Sequence, residues 1–284
     1  MKAALYPNFQ KKNALPCARE VCDILCREEI QVCVSADFRE EFSDKPGILF
    51  EDIEESAKTA DIVIAIGGDG TILRCAKLLT GTDTKLLGIN TGTLGFMAGL
   101  EADQLDKLSL LKKGGYEISD RMTLDVVFHR ETGDVIYTAL NEVSARSGSF
   151  RICDFEVYSD SYLVGRYRAD GVLFSTPSGS TAYALSAGGP VIEPDLECIE
   201  MTLICPHSLF SRATMFAAGR KLRLTDKTHS SESMVICVDG ELYFQLHENE
   251  SIEISRGRHN IKFVNLIGNS FHESLCRKLC KPIK

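Results

Sequence analysis

Asp61-Ile62-Val63-Ile64-Ala65-Ile66 is an almost unbroken apolar run, and it ends directly on Gly67-Gly68-Asp69-Gly70-Thr71. A strand that is apolar at nearly every position has no side to offer to water. Such strands sit in the middle of a parallel sheet covered by helices on both faces. Residues 71–79, which follow, read as a helix, so strand, glycine turn and helix form one βα unit. Its neighbours repeat the rhythm. Residues 2–6 and 31–35 read as strands, and 13–29 as a helix with Leu15, Val21, Ile24 and Leu25 on its apolar face. Residues 85–89 read as a second buried strand, and 103–113 as a helix stopped by Gly114-Gly115. This alternation predicts an α/β domain with a doubly wound parallel sheet over residues 1–117.

From Ile118 onward the rhythm changes. Short β-like runs occur at 123–129, 135–145, 150–159, 162–168, 201–205, 221–225, 234–238, 242–246, 251–255 and 261–264. Turn clusters such as Thr132-Gly133-Asp134 and Ser147-Gly148-Ser149 separate them. One helix, at 178–187, interrupts the series. Residues 118–266 are therefore expected to form a β-rich, β-sandwich-like domain. Phe271, Leu275 and Leu279 mark a final amphipathic helix, so residues 267–284 are expected to pack back on the first domain.

Composition narrows the function classes. The net charge of −8 gives no basic excess of the kind that nucleic acid requires. No apolar run approaches the ~18 residues of a membrane span, and the polar start of the chain does not resemble a signal peptide, so a cytoplasmic location is expected. The 11 cysteines include Cys22/Cys26 and Cys276/Cys280, each four apart and so on one helix face. With no histidine at ligand spacing, they read as small buried apolar residues in a reducing compartment rather than as a metal set.

Four segments carry chemistry. In Gly67–Thr71 the glycines let backbone N–H groups approach an anion closely, and the helix N-terminus behind them favours negative charge. Asp69 is the unusual member: it either caps the helix, accepts a proton from an attacking hydroxyl, or helps to hold Mg²⁺. The segment from Asn90 to Gly99 follows the next buried strand and falls beside the first turn, with Phe96 near the ligand. Asn141-Glu142 puts two adjacent polar side chains inside a β-like run, where they face opposite sides. Asp170 through Tyr183 ends a strand and opens a helix with a dense set of hydroxyls at Ser178, Ser180 and Thr181. The turn is neither a dinucleotide GxGxxG nor a Walker A loop.

Together with Pro206–Arg212 and Val238-Asp239-Gly240, these segments resemble the NAD kinase family over residues 60–240. The GGDGT turn alone is shared with lipid kinases and phosphofructokinases; the Asp170–Tyr183 segment is far more specific. The resemblance implies transfer of the terminal phosphoryl group of ATP (or polyphosphate) to the 2′-hydroxyl of the adenosine ribose of NAD, with Mg²⁺ or another divalent cation. It implies that Asp69 is the general base or orienting carboxylate, and that Gly67, Gly68, Gly70 and Thr71 line the phosphate path. Asn141 and Glu142 would hold ribose, and Asp170 the nicotinamide side. Ser178, Thr181, Ala182 and Tyr183 would hold adenine, Ser186 would lie near the second ribose, Arg168 would meet phosphate, and Phe96 would wall the pocket. Some members carry His where this chain has Thr93, so that position is given no catalytic part. A homodimer or homotetramer is implied, with Pro206–Arg212 as the place to look for a neighbouring subunit. Two rivals are a diacylglycerol-type lipid kinase using the same turn and a dinucleotide-sensing protein without catalysis. The first leaves Asp170–Tyr183 unexplained, and the second is disfavoured by the presence of Asp69.

Overall fold

A computed structural model describes all residues except 93–94, 130–132, 150, 210, 229–233, 267–270, 272–274, 277–278 and 280–284, and the side chains of 242 and 243. The chain divides into two compact units, Met1–Asp120 with Ile261–Lys284, and Arg121–Asn260.

The first unit alternates strands and helices in the order β1 (Lys2–Pro7), α1 (Ala14–Arg27), β2 (Gln31–Ser35), β3 (Leu49–Glu51), α2 (Ile53–Thr59), β4 (Ile62–Gly67), α3 (Asp69–Leu78), β5 (Lys85–Asn90), β6 (Leu100–Glu101) and β7 (Glu117–Arg121). Its sheet runs β3-β2-β1-β4-β5, with β6 beside β5, and all of these pairings are parallel. Every residue of β4 is buried, as its unbroken apolar run requires. Burying each of Ile62, Ile64 and Ile66 contributes roughly 1.5–3 kcal/mol.

The pleat separates the two faces. Leu5, Val34, Ile64, Ile66, Leu87 and Ile89 share a core with Ala18, Val21, Cys22 and Leu25 of α1 and with Leu105, Leu108 and Leu111. Between Leu87 and Ile89, Gly88 faces the other side, where a Cβ would lie 2.4 Å from Ile72 Cδ1; α3 therefore packs on the opposite face, over a glycine. The Leu105/Leu108/Leu111 spacing of three explains a departure from expectation. Residues 105–110 form a 3₁₀ helix rather than an α-helix, because a period of three aligns these leucines on one stripe. Helix α2, which the apolar rhythm does not reveal, is capped by Asp52, whose Oδ1 accepts the N–H groups of Glu54 and Glu55 at 2.9 and 3.1 Å.

The second unit is all β apart from one short helical stretch. It comprises β8 (Leu124–Phe128), β9 (Val135–Ala139), β10 (Glu142–Ser147), β11 (Cys153–Ser159), β12 (Tyr162–Ala169), β13 (Gly171–Ser175), α4 (Tyr183–Ser186), β14 (Cys198–Ile204), β15 (Thr214–Ala217), β16 (Leu222–Asp226), β17 (Met234–Val238), β18 (Leu242–Leu246) and β19 (Ser251–Arg256). The strands form two six-stranded sheets, β15-β14-β13-β10-β17-β18 and β12-β11-β16-β19-β8-β9. Val143, Phe174, Met201 and Ile236 from the first and Val126, Phe155, Leu224 and Ile254 from the second belong to one core, the pattern of a sandwich.

Three expectations need correction. The run 135–145 is two strands in different sheets, broken at Leu140-Asn141, where side-chain hydrogen bonds replace the ladder. The helix expected at 178–187 is a 3₁₀ turn, Gly179–Thr181, followed by the single turn of α4. Ser180 Oγ donates to Pro177 O at 2.7 Å and accepts the Ile192 N–H at 3.0 Å, holding the chain in a non-helical path. Finally, β20 (Ile261–Asn265), expected in the β-rich domain, joins the first unit's sheet beside β5, with Phe263 opposite Leu86. Phe263 and Val264 are consecutive and both buried, which a sheet covered on both faces demands and a half-solvated strand does not. Of the terminal segment, Phe271, Leu275, Cys276 and Leu279 are described and helical; the docking expected of 267–284 otherwise lies outside the described residues.

Candidate active site

In the first unit, β4 delivers the chain into Gly68, which caps α3 in extended backbone. Asp69 is the first residue of that helix, yet its side chain turns away from it. Asp69 Oδ2 accepts the Phe96 N–H at 2.8 Å and Oδ1 accepts the Met97 N–H at 3.1 Å. The capping alternative is thus set aside: the carboxylate is held by the 90–99 loop and not by its own helix. Gly95 makes this possible, because a Cβ there would lie 2.0 Å from Asp69 Oδ1. Gly67 serves Thr71 in the same way, at 2.4 Å from its hydroxyl, and the buried Thr71 Oγ1 accepts from Asn8 Nδ2 at 3.1 Å. Gly68 and Gly70 differ, since a Cβ at either would meet nothing within 4 Å. They face a cavity of about 440 Å³ whose walls include Gly68–Thr71, Gly92, Gly95, Asn8, Lys11 and Arg74. Asn90 braces the floor, its amide donating to Glu101 Oε2 at 2.8 Å and its carbonyl accepting the Gly92 N–H at 3.2 Å.

Two cations, one carboxylate and a helix start opening onto bare glycine backbone form an anion receptacle with a single acid in it. Sequence reasoning found the turn and Asp69 but missed Asn8, Lys11 and Arg74. Arg74 lies one helical turn beyond Gly70, on a face the pattern could have indicated. Asn8 and Lys11 follow β1, and only the β1–β4 pairing brings them here.

In the second unit, Asp239 organises the polar pair. Its Oδ2 accepts the Leu140 N–H at 2.9 Å, and its Oδ1 accepts those of Asn141 and Glu142 at 2.8 and 3.1 Å. Asp239 sits at a φ of +49°, in the turn between β17 and β18. Three N–H groups that would otherwise belong to a strand are pinned around one buried carboxylate. The segment after β13 closes on the same spot. Thr176 N donates to Asn141 O at 2.9 Å, Thr176 Oγ1 donates to Leu140 O at 2.6 Å, and a Cβ on Gly179 would lie 2.0 Å from Asn141 O. Asn141, Glu142, Ser178 and Thr181 are thereby fixed together. Thr181 Oγ1 donates to Ser178 O at 3.1 Å, and Ser178 Oγ accepts from Arg121 at 3.4 Å. Tyr183 OH accepts from Arg146 at 3.3 Å, with that guanidinium 5.9 Å above the ring.

Two acceptors in this cluster, Asn141 Oδ1 and Glu142 Oε2, are buried without a hydrogen-bond partner among the described residues. Leaving a buried acceptor unmet costs roughly 1–3 kcal/mol, so such groups mark places where a ligand's donors belong. Burial, and then the charge of Asp239, push the Glu142 carboxyl up to about 7; the Tyr183 backbone N–H opposes the shift. Asp170 lies at the bend between β12 and β13, exposed, and Ser186 is exposed at the end of α4.

Arg168 stands apart from this cluster. It belongs to the other sheet and is held by Asp154 in a two-point ion pair, Nε to Oδ1 at 2.8 Å and Nη2 to Oδ2 at 2.7 Å. Together with His207, Ser211 and Arg212, it lines a separate cavity of about 570 Å³. Among the described residues no three His, Cys, Asp or Glu side chains group as a metal set. Cys17, Cys22, Cys33, Cys75 and Cys153 are buried thiols, and burial pushes each one's pKa up, which fits packing rather than reactivity. No helix of the described residues is long and apolar enough to cross a membrane.

Residues 4–112 match the family model of the ATP-NAD kinase N-terminal domain, and residues 140–266 that of the ATP-NAD kinase C-terminal domain. The chain is 37% identical to the NAD kinase of Moorella thermoacetica over 80% of this chain and 73% of that one. It is 32% identical to the NAD kinase of Caldicellulosiruptor bescii over 98% and 99%. Among solved structures, the fold is similar to that of yeast NADH kinase complexed with NADH, with a TM-score of 0.89 and 25% identity over 100% of this chain and 89% of that one. It is also similar to an NAD kinase from Archaeoglobus fulgidus in complex with ATP, with a TM-score of 0.73 and 24% identity over 96% and 98%. With both domain models matched and relatives above 30% identity along nearly its whole length, the chain belongs to the NAD kinase family.

Proposed function

We propose that this chain transfers the terminal phosphoryl group of ATP to the 2′-hydroxyl of the adenosine ribose of NAD, giving NADP and ADP. The observation that carries the acceptor assignment is the pair of buried, partnerless acceptors Asn141 Oδ1 and Glu142 Oε2. A ribose diol brings two O–H donors and would satisfy both. Ser178, Thr181, Ala182 and Tyr183 supply hydroxyls, backbone and an aromatic face suited to adenine. Asp170 and Ser186 then serve the nicotinamide side and the second ribose.

Asp69 takes the proton. Each of its oxygens accepts one backbone N–H and retains a lone pair for a substrate hydroxyl. As the ribose oxygen bonds to the γ-phosphorus, its proton passes to Asp69; the bond from that phosphorus to the bridging oxygen breaks, and ADP leaves with the electron pair. Lys11, Arg74 and the start of α3 offset the negative charge of the phosphates, the role for which Gly68 and Gly70 leave the backbone open. One carboxylate beside two cations fits a divalent cation that arrives on the ATP phosphates, since Mg²⁺ takes few protein ligands when phosphates supply the rest. Bound there, with Asp69 as the nearest protein carboxylate, it would neutralise charge on the phosphates. A homo-oligomer in which Pro206–Arg212 meets a neighbouring subunit completes this reading.

The test is incubation with ATP, Mg²⁺ and NAD, with NADP read by an NADP-specific dehydrogenase. NADP formation that is lost in Asp69→Asn is expected. An inactive wild-type protein that still binds NAD would favour the sensing alternative. Repeating the assay with NADH and with polyphosphate defines the acceptor and the donor.

A further inference from the structure

The sheet β15-β14-β13-β10-β17-β18 is polar at the centre of its second face. Phe174 and Met201 belong to the sandwich core, so the residues beside them, Ser175 and Glu200, point the other way. Ser175 stands opposite both Glu142 on β10 and Glu200 on β14. Ser175 and Glu200 are fully buried, and Thr202, on the same side of β14, is nearly so. The segment that leaves β13 covers them: α4 packs on β13, and the chain then passes over Glu200 at Gly189. The phosphoryl transfer itself leaves Glu200 without a part. Among the described residues its hydrogen-bond partners are two hydroxyls: Ser175 Oγ donates to Oε2 at 3.0 Å, and Thr202 Oγ1 donates to Oε1 at 2.6 Å. We propose that Glu200 is a positioning residue for NAD, holding both ends of the 176–189 segment and so fixing the groups along it that take the adenine. The inference rests on the adenine reading of Ser178, Thr181, Ala182 and Tyr183 and adds the group that keeps them in place.

Three observations converge on it. First, Glu200 Oε2 holds the entry. Ser175 is the last residue of β13, and Thr176 after it is already bonded to Asn141 O and Leu140 O. Second, Glu200 Oε1 sets the exit. A Cβ on Gly189 would lie 1.9 Å from that oxygen and 2.9 Å from Thr202 Oγ1. Gly188, at a φ of +90°, is required by the turn, whereas Gly189 is required by the carboxylate beneath it. Gly189 N donates to Ala184 O at 2.9 Å, so a shift at Gly189 is passed to the residue next to Tyr183. Third, the chemistry is not that of mere filling. Burial pushes the Glu200 carboxyl pKa up, and the hydroxyls of Thr202 and Ser175 oppose the shift. An apolar side chain of similar volume would avoid that burial cost but would leave both hydroxyls unmet and the entry untied. One side chain thus meets the 176–189 segment where it leaves the sheet and where it comes back over it.

The test uses the full-length protein with Glu200→Ala, Glu200→Gln and Gly189→Ala. Steady-state kcat and KM are measured for NAD and ATP, and amide hydrogen exchange is followed across residues 176–189. Loss of two hydrogen bonds to a buried carboxyl predicts that Glu200→Ala raises the KM for NAD by about tenfold or more and speeds exchange at 176–189 by a similar factor. The KM for ATP and kcat should stay within about threefold, a split that general destabilisation would not produce. Glu200→Gln should restore the KM for NAD and the exchange, because its oxygen accepts one hydroxyl and its amide donates to the other, which turns to accept. Gly189→Ala should also raise the KM for NAD, and by a smaller factor when added to Glu200→Ala, because the group it strikes is gone. An unchanged KM for NAD in Glu200→Ala, a loss shared equally by NAD and ATP, or Glu200→Gln as damaged as Glu200→Ala would overturn the inference. Should Glu200→Ala not fold, a KM for NAD unchanged in Gly189→Ala overturns it instead. If the wild type makes no NADP, the catalytic reading fails, and the exchange at 176–189 still decides whether Glu200 holds the segment.

Discussion

Gly95 touches no substrate in the reading above, yet its replacement is expected to disable the enzyme. A Cβ at this position would lie 2.0 Å from Asp69 Oδ1 and 2.8 Å from its Cγ, and the carboxylate has little freedom because Phe96 and Met97 hold it from the same loop. Gly95→Ala must therefore displace the carboxylate, or the loop, by more than about 1 Å to reach ordinary contact. Misplacement on that scale costs about 10²-fold in a reaction that depends on positioning, or roughly 2.7 kcal/mol of barrier. The assay is steady-state NADP formation. The prediction is a fall in kcat of about 100-fold, a KM for NAD within threefold, and a thermal unfolding curve lowered only by what two weakened hydrogen bonds contribute, about 1 kcal/mol each. A double-mutant cycle isolates the cause. In an Asp69→Asn background, Gly95→Ala should cost little more, because the displaced group is already disabled. Full additivity, or near-normal kcat in Gly95→Ala alone, would refute the argument that Gly95 exists to seat Asp69.

Asp69→Asn itself should retain NAD binding by calorimetry while losing about 10²–10⁴-fold in turnover, the range general-base catalysis supplies. Glu142, pushed up to about 7, should bind ribose best when ionised, so the KM for NAD should rise about tenfold between pH 8 and pH 6 and flatten in Glu142→Gln. The linked stability has the reverse sign to that of most carboxylates. With its folded pKa raised from 4.5, Glu142 contributes stability in full below pH 4.5, and that stability is lost as pH rises through about 7; urea melts across this window should show a slope that Glu142→Gln removes. Asp239→Asn removes a charge beside Glu142 and leaves one amide oxygen for three N–H groups. It should shift the pH midpoint of the KM for NAD downward and cost about 1–3 kcal/mol in urea unfolding.

The motifs of the site were legible because their chemistry is local. Gly67–Thr71 announces a strand-to-helix turn by composition alone, and Asp170–Tyr183 announces a dense capping segment. Relations across the chain were not legible. Nothing in the spacing of Asp239 says that it is buried against the N–H groups of residues 140–142, since the pairing of β10 with β17 creates that contact. Lys11 joins Asp69 only because β1 and β4 are neighbours. Arg168, read as a residue that would meet phosphate, is occupied by Asp154 from the adjacent strand, a partner that only the β11–β12 register identifies. The helix at 178–187 failed for a different reason. Ser180 uses its hydroxyl to tie the nearby Pro177 carbonyl to the N–H of Ile192 further along the chain, which outweighs local helical preference in so short a segment.

The membership of β20 in the first sheet bears on the order in which the protein can be made. Strand β5 bonds on one side to β4, but its partner along Leu86 is Phe263, separated from it by the whole of the second unit. A nascent chain that has emerged only as far as residue 120 covers that edge of β5 with β6 at Ile89 and Asn90 alone, and leaves the apolar stretch along Leu86 open until some 140 further residues have been synthesised. The first unit is thus completed last. Truncations ending before Ile261 would leave that edge ready to pair with another chain, and a ribosome pausing within the β-rich unit would hold the protein at its most aggregation-prone length.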